Sequence, residues 1–206
     1  RGATVIGIDF SATMIAEAQK RNPDVEFREG DAEHLPFGND LVDAAVVNFG
    51  ILHLARPDQA LAEACRVVCP GGRFGFTVWA KPEETLGFGI VLGAIAKYGD
   101  LNVPLPEGPP FFRFSEPDEC IRSLLAAGFQ SPTVVKVAQV WRLPSVDSLF
   151  EFMKDSTVRT AGLLRAQKPE VLEQIRDAMR DESKQHQKGG AVELPMPAIL
   201  SSAVKP

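Results

Sequence analysis

A doubly wound α/β sheet carrying a helical insertion is the fold this sequence predicts, and three observations predict it. Short β-branched or apolar runs alternate with helix-patterned segments over roughly the first eighty residues. The run Leu41 to Asn48 is almost wholly apolar, as a strand covered on both faces must be. Chain breakers stand where each early helix should stop, at Asn22-Pro23, at Pro70-Gly71-Gly72 and at Gly128.

The elements follow in order. Thr4 to Phe10 reads as a buried strand, after which Ser11 N-caps a helix to about Arg21. Val25 to Arg28 and Leu41 to Asn48 are the next strands. Asp58 to Val68 places Ala60, Leu61, Ala64, Cys65 and Val68 at helical spacing, and Arg73 to Trp79 is the strand after it. From Lys81 the rhythm changes to an apolar helix over Glu84 to Tyr98 and a proline-rich loop from Val103 to Pro110. Ser115 then caps a helix with Pro117 in its first turn, and a strand is expected over Thr133 to Leu143. Ser145 to Lys188 is helical in two or three pieces, and Ala191 to Val204 is a strand interrupted by Pro195 and Pro197. The expected organisation is a core over 1–80, an insertion over the active site at 81–114, a return to the core at 115–143 and 191–206, and a helical lid at 144–190.

Composition narrows the function. A net charge of -5 and a pI near 5.3 do not supply the clustered cations that nucleic acids or anionic membranes need, so a small-molecule partner is expected. The longest apolar stretch, Leu86 to Ala96, is broken by glycines and too short to span a bilayer. Cys65, Cys69 and Cys120 form no CxxC pair, which points to reduced thiols and a cytoplasmic setting, and no metal site is expected.

Two carboxylates carry the chemistry. Asp9 ends the first strand, at the sheet edge where such folds bind ligands, and there it can accept both hydroxyls of a ribose. The competing reading is that Asp9 merely caps the following helix. Asp31, in Gly30-Asp31-Ala32-Glu33-His34-Leu35-Pro36-Phe37, can accept the exocyclic amine of adenine; the alternative is a solvated loop acid.

In this order and spacing, IGIDFSATMI, EFREGDAEHLPF, LVDAAVVNFGILHL and RVVCPGGRFGFTVW resemble the class I S-adenosylmethionine-dependent methyltransferases, most closely the small-molecule branch that includes the quinone-biosynthesis type. The resemblance is tight over Gly2 to Trp79 and looser over Ser115 to Leu143. It implies a Rossmann-like sheet, S-adenosylmethionine as cofactor, and methyl transfer to a small molecule by in-line displacement. It implies Asp9 on the ribose, Phe10 and Met14 against adenine, and Asp31 with the Ala32 amide on the adenine edge. Asn48, Phe49 and Gly50 would line the methionine end. For Met14, ordinary helix core is an equal alternative. The family's glycine-rich loop, between its first strand and first helix, has no counterpart here, so the fold is expected to be N-terminally truncated by that strand and helix, about forty residues.

His53, just past the Asn48 strand, is the candidate general base; the alternative is a packing role against Leu54 with a hydrogen bond to a loop carbonyl. Trp79, Tyr98 and Phe112, with Phe111 and Phe114, are candidates to wall an apolar acceptor, and Arg113, with Arg159 and Arg165, to bind an acidic one. Two other readings compete. A catalytically inactive methyltransferase-like binding or assembly domain is motivated by the absent glycine loop. A nicotinamide-dependent Rossmann oxidoreductase of the short-chain type would need a lysine four residues after its tyrosine, where Tyr98 is followed by Asn102.

Overall fold

A computed structural model describes residues 2–105 and 108–206, so part of the proline-rich loop, at 106–107, lies outside the described residues. The chain opens with β1 (Ile6–Asp9), α1 (Ala12–Arg21) and β2 (Glu26–Glu29). Ser11 caps α1 as its sequence position predicts, its side chain accepting from the Met14 amide. β1 and β2 run parallel from Ile6 opposite Glu26 to Asp9 opposite Glu29.

β3 (Val42–Asn48), α2 (Pro57–Val67) and β4 (Val68–Trp79) follow, with a single 3-10 turn at Ile51–His53 between β3 and α2. β4 starts earlier than expected, at the end of α2, and Cys69 to Gly72 loop out of register before regular parallel pairing runs from Ala44 opposite Arg73 to Asn48 opposite Thr77. A Cβ on Gly72 would lie 2.7 Å from the Asp43 carbonyl oxygen and 2.8 Å from that of Cys69, so only glycine fits this bulge.

Next comes α3 (Leu86–Tyr98); α4 (Pro117–Ala126), β5 (Gln130–Val137) and β6 (Val140–Leu143) then lead to α5 (Ser148–Asp155), α6 (Arg159–Arg165) and α7 (Pro169–Lys184). β7 (Gln187–Lys188), β8 (Ala191–Pro195) and β9 (Ala198–Val204) close the chain. Two expected strands are each divided. Thr133 to Leu143 splits into β5 and β6, and Ala191 to Val204 splits into β8 and β9 at Met196-Pro197, because the halves serve different sheets. β9 lies antiparallel between β4 and β5 in the sheet β3-β4-β9-β5, while β8 sits between β6 and β7 in a smaller antiparallel sheet. Glu116 rather than Ser115 is the α4 cap residue; Ser115 instead donates its hydroxyl to the Trp79 carbonyl at 2.7 Å.

Two apolar cores result. One packs Ile51, Leu61, Phe74, Phe76, Leu124 and Phe129 between the main sheet and helices α2 and α4. The other packs Phe88, Ile95, Leu149, Met153, Ile175 and Met179 among α3, α5, α6 and α7, with β8 against them. Trp79 and Phe111 touch both.

Residues before Ile51 put no fully buried apolar side chain into either core, and only Ala45, Val47 and Phe49 pack against the first. β1 bonds only β2, and β3 bonds only β4; no strand among the described residues joins β1 to β3. Val46 is consequently 81% exposed, Phe10 78% and Met14 57%. Along the described chain, Glu33 is the sole buried residue ahead of Ile51.

Candidate functional site

Parallel pairing of β1 with β2 brings the two predicted carboxylates to neighbouring strand ends. The Gly30 amide donates to the Asp9 carbonyl at 2.9 Å, extending the ladder by one bond past the strands and setting Asp31 next in line. Asp9 uses Oδ1 to accept the Ser11 amide at 2.8 Å, which is the capping role weighed against ribose binding. Its Oδ2 takes no hydrogen bond from the described residues. Asp31 accepts the Glu33 amide on Oδ1 at 2.8 Å, and its Oδ2 lies 3.3 Å from His34 Nδ1. The backbone N–H of Glu33, and then His34, hold the Asp31 carboxyl below the usual range, so it is ionised near neutral pH. Ala32 is half-buried between them. Met14, on α1, is 57% exposed and Phe10, next to Asp9 in sequence, 78%.

At the end of β3 the backbone is held in an unusual shape. Phe49 has φ of 52°, in the left-handed region that costs a residue with a Cβ about 1 to 3 kcal/mol. Its amide donates both to the Thr77 carbonyl and to Thr77 Oγ1, each at 3.1 Å, while Thr77 Oγ1 donates to Asn48 Oδ1 at 2.6 Å. The Phe49 ring then stacks on Trp79 with centroids 4.1 Å apart. Gly50 follows where a Cβ would lie 2.9 Å from Val47 Cγ1. The His53 amide closes the turn on the Gly50 carbonyl at 3.0 Å, and its ring lies 5.8 Å from Phe111. His53 is exposed at the surface, yet partial loss of water on one side of its ring, and then the charge of Arg159, push the imidazole below its ordinary pKa, leaving it neutral and able to accept a proton.

The acceptor-side residues divide. Trp79 extends from Phe49 edge-to-face onto Phe88 and Trp141, at 5.7 and 5.4 Å, and Phe112 packs on Phe88 and Phe111. Tyr98 is elsewhere: it lines a cleft of about 450 Å³ between α3 and α7, beside Lys97, because the C-terminal end of α3 leans on α7. Arg113 is committed to the protein. Its Nε donates to Glu119 at 2.6 Å, Nη1 and Nη2 to Asp58 at 2.8 Å each, and Nη2 also to Ser123 at 3.2 Å. With every guanidinium nitrogen engaged, Arg113 serves as a clasp between α2 and α4 rather than as an anion anchor. Phe114 is core, Arg165 donates to the Lys154 carbonyl, and Arg159 makes a long contact with the Pro109 carbonyl.

Several residues were not singled out by sequence reasoning. Glu33 accepts from the Arg56 amide at 2.7 Å and from Arg56 Nε at 2.8 Å. Glu63 accepts the Leu35 amide while pairing with Arg66, whose Nη atoms reach the Leu35 and Phe37 carbonyls. The Glu63–Arg66 spacing of three is a visible helix-face pair; nothing local in the sequence links Glu33 to Arg56.

Comparison with known proteins bears on the fold and on the first part of the chain. Residues 1–76 match the family described as methyltransferase domain. Over 85 residues the chain is 38% identical to a demethylmenaquinone methyltransferase of Paenarthrobacter aurescens, an alignment covering 41% of this chain and 34% of that protein. The chain thus spans about a third of the length of that curated relative. Among solved structures, a candidate methyltransferase of Bacillus halodurans superposes with a TM-score of 0.58 at 18% identity, over 98% of this chain and 83% of that one. The [4+2]-cyclase SpnF superposes at 0.53 and 20% identity, over 100% and 68%. These likenesses establish the Rossmann-like fold.

Proposed function

We propose that this chain supplies the cofactor-binding and acceptor-facing parts of an S-adenosylmethionine-dependent methyltransferase acting on a small molecule, and that the acceptor is an apolar aromatic of the quinone type. The reading is carried by one observation: Asp9 and Asp31 stand at adjacent parallel strand ends, with exposed Phe10 following Asp9 and exposed Met14 on the helix that leaves that strand. Those residues fit a nucleoside. Asp9 Oδ2 is free for a ribose hydroxyl, ionised Asp31 and the Ala32 amide suit the adenine edge, and the two apolar side chains can cover the ring.

Bound S-adenosylmethionine supplies a methyl group made electrophilic by its sulfonium. The chain's task is then to hold the acceptor atom in line in a dry site, which can lower the barrier by ~7 to 11 kcal/mol. Asn48, Phe49 and Gly50 shape the wall facing that end, and Trp79 and Phe112 offer the acceptor aromatic surface. Neutral His53 takes the acceptor's proton, a contribution of about 10² to 10⁴-fold. Three cysteines that form no disulfide, Cys65, Cys69 and Cys120, fit a reducing, cytoplasmic place of action.

Calorimetric titration of S-adenosylmethionine onto the chain and its D9N and D31N variants tests the proposal. Binding by the parent, weakened at least tenfold by D9N, is the expected result, since Asn keeps the Ser11 cap but is a poorer ribose acceptor. Equal binding by parent and D9N, or none by the parent, overturns it.

A further inference from the structure

Glu33 is buried, its side chain 8% exposed, although the Arg56 side chain that meets it is 63% exposed. Burying a carboxylate against so wet a partner is a poor source of stability, because the cost of drying the anion is only partly returned. What the arrangement does achieve is connection. The Glu33 amide fixes Asp31 Oδ1, while the Glu33 carboxylate takes both the backbone and the side-chain N–H of Arg56. Arg56 is the residue on which α2 starts, its carbonyl accepting from Gln59 and Ala60, and it lies three positions after His53. One side chain therefore bridges the adenine-side loop to the turn that carries the candidate base. Few other ties exist: β1, α1 and β2 pack chiefly on one another, and residues 35–39 are fastened separately by Glu63 and Arg66.

We propose that Glu33 is a positioning residue that sets the distance between the nucleoside end of the site and the reacting end, acting through Arg56. The role rests on the methyltransferase reading for its ligand and on the hydrogen-bond geometry for its mechanics. A misplacement of about 1 Å at a reacting centre can cost 100-fold in rate, so such a strut is worth a buried charge.

The test uses the full chain with E33Q, R56K and the double variant, each followed by S-adenosylhomocysteine affinity, thermal midpoint and amide hydrogen exchange. E33Q should weaken S-adenosylhomocysteine by about tenfold and speed exchange in both 31–37 and 50–57, and the double variant should be no worse than E33Q alone. If E33Q does not fold, R56K carries the same test, since its backbone N–H still reaches Glu33. A lower midpoint with unchanged affinity and unchanged exchange at 50–57 makes the pair merely structural and overturns the proposal. Faster exchange of E33Q than of the parent in both segments, when the parent takes no S-adenosylhomocysteine, overturns the proposed function and leaves the coupling standing.

Discussion

Replacing Arg113 with methionine separates a clasp from an anion anchor. Methionine keeps an apolar stem in a site only 24% exposed, so the change removes charge and hydrogen bonds more than packing. The Asp58 pair is the smaller loss: that carboxylate is 63% exposed and rehydrates, for about 0.2 to 1 kcal/mol. Glu119 is 15% exposed and loses the Nε bond, a charged interaction of about 1.5 to 3 kcal/mol, though Arg122 and Ser123 remain beside it. The guanidinium also lies 4.8 Å over the Phe114 ring, adding roughly 0.5 kcal/mol. The sum is about 2 to 4 kcal/mol, and at this chain length the thermal midpoint should fall by roughly 5 to 10 °C. Circular dichroism melting of parent and R113M measures it directly, with lysine at 113 as a control that keeps charge but not the fork. A midpoint within 1 °C of the parent would refute the clasp and return Arg113 to the acceptor side.

His53 should titrate below 6.5 in a proton NMR series, and R159Q should move it upward without restoring that value, because the partial desolvation of this exposed ring is the larger cause and persists. The linked stability has a definite sign: with the folded pKa depressed, the unfolded chain binds the extra proton between the folded pKa and 6.5, so stability is full above 6.5 and declines as pH drops through that window. Gly71 and Gly72 should respond differently to alanine. G71A pays only for φ of 80° in open space, about 1 to 2 kcal/mol, whereas G72A drives a methyl into two carbonyl oxygens and should cost at least 2 to 3 kcal/mol by urea denaturation. Equal costs would mean the bulge relaxes.

What the sequence makes legible is what neighbours along the chain decide. Ser11 caps α1 because its hydroxyl needs only the amide three residues on, and the Asn22-Pro23 stop acts on the turn just before it. Asp9 and Asp31 could be placed side by side because parallel strands joined by one helix leave few choices. Long-range pairing is where the reading failed. β9 slots between β4 and β5 from over a hundred residues away in sequence from β4, and no local pattern distinguishes its half of Ala191 to Val204 from the half that joins β6. Tyr98 was placed by aromatic type, yet its position is set by how α3 crosses α7. The strain at Phe49 had no signal either, because the residue that sustains it, Thr77, belongs to the neighbouring strand.

Among the described residues, β3 is paired on one side alone, with β4. Alternate residues of this seven-residue strand direct N–H and C=O groups to the side away from β4, and Val46 is 81% exposed among them. Such a border templates strand addition by another molecule, and no proline or lysine within Val42–Asn48 blunts it. A polypeptide of these 206 residues by itself should therefore associate edge to edge when concentrated, and V46K should keep it dispersed.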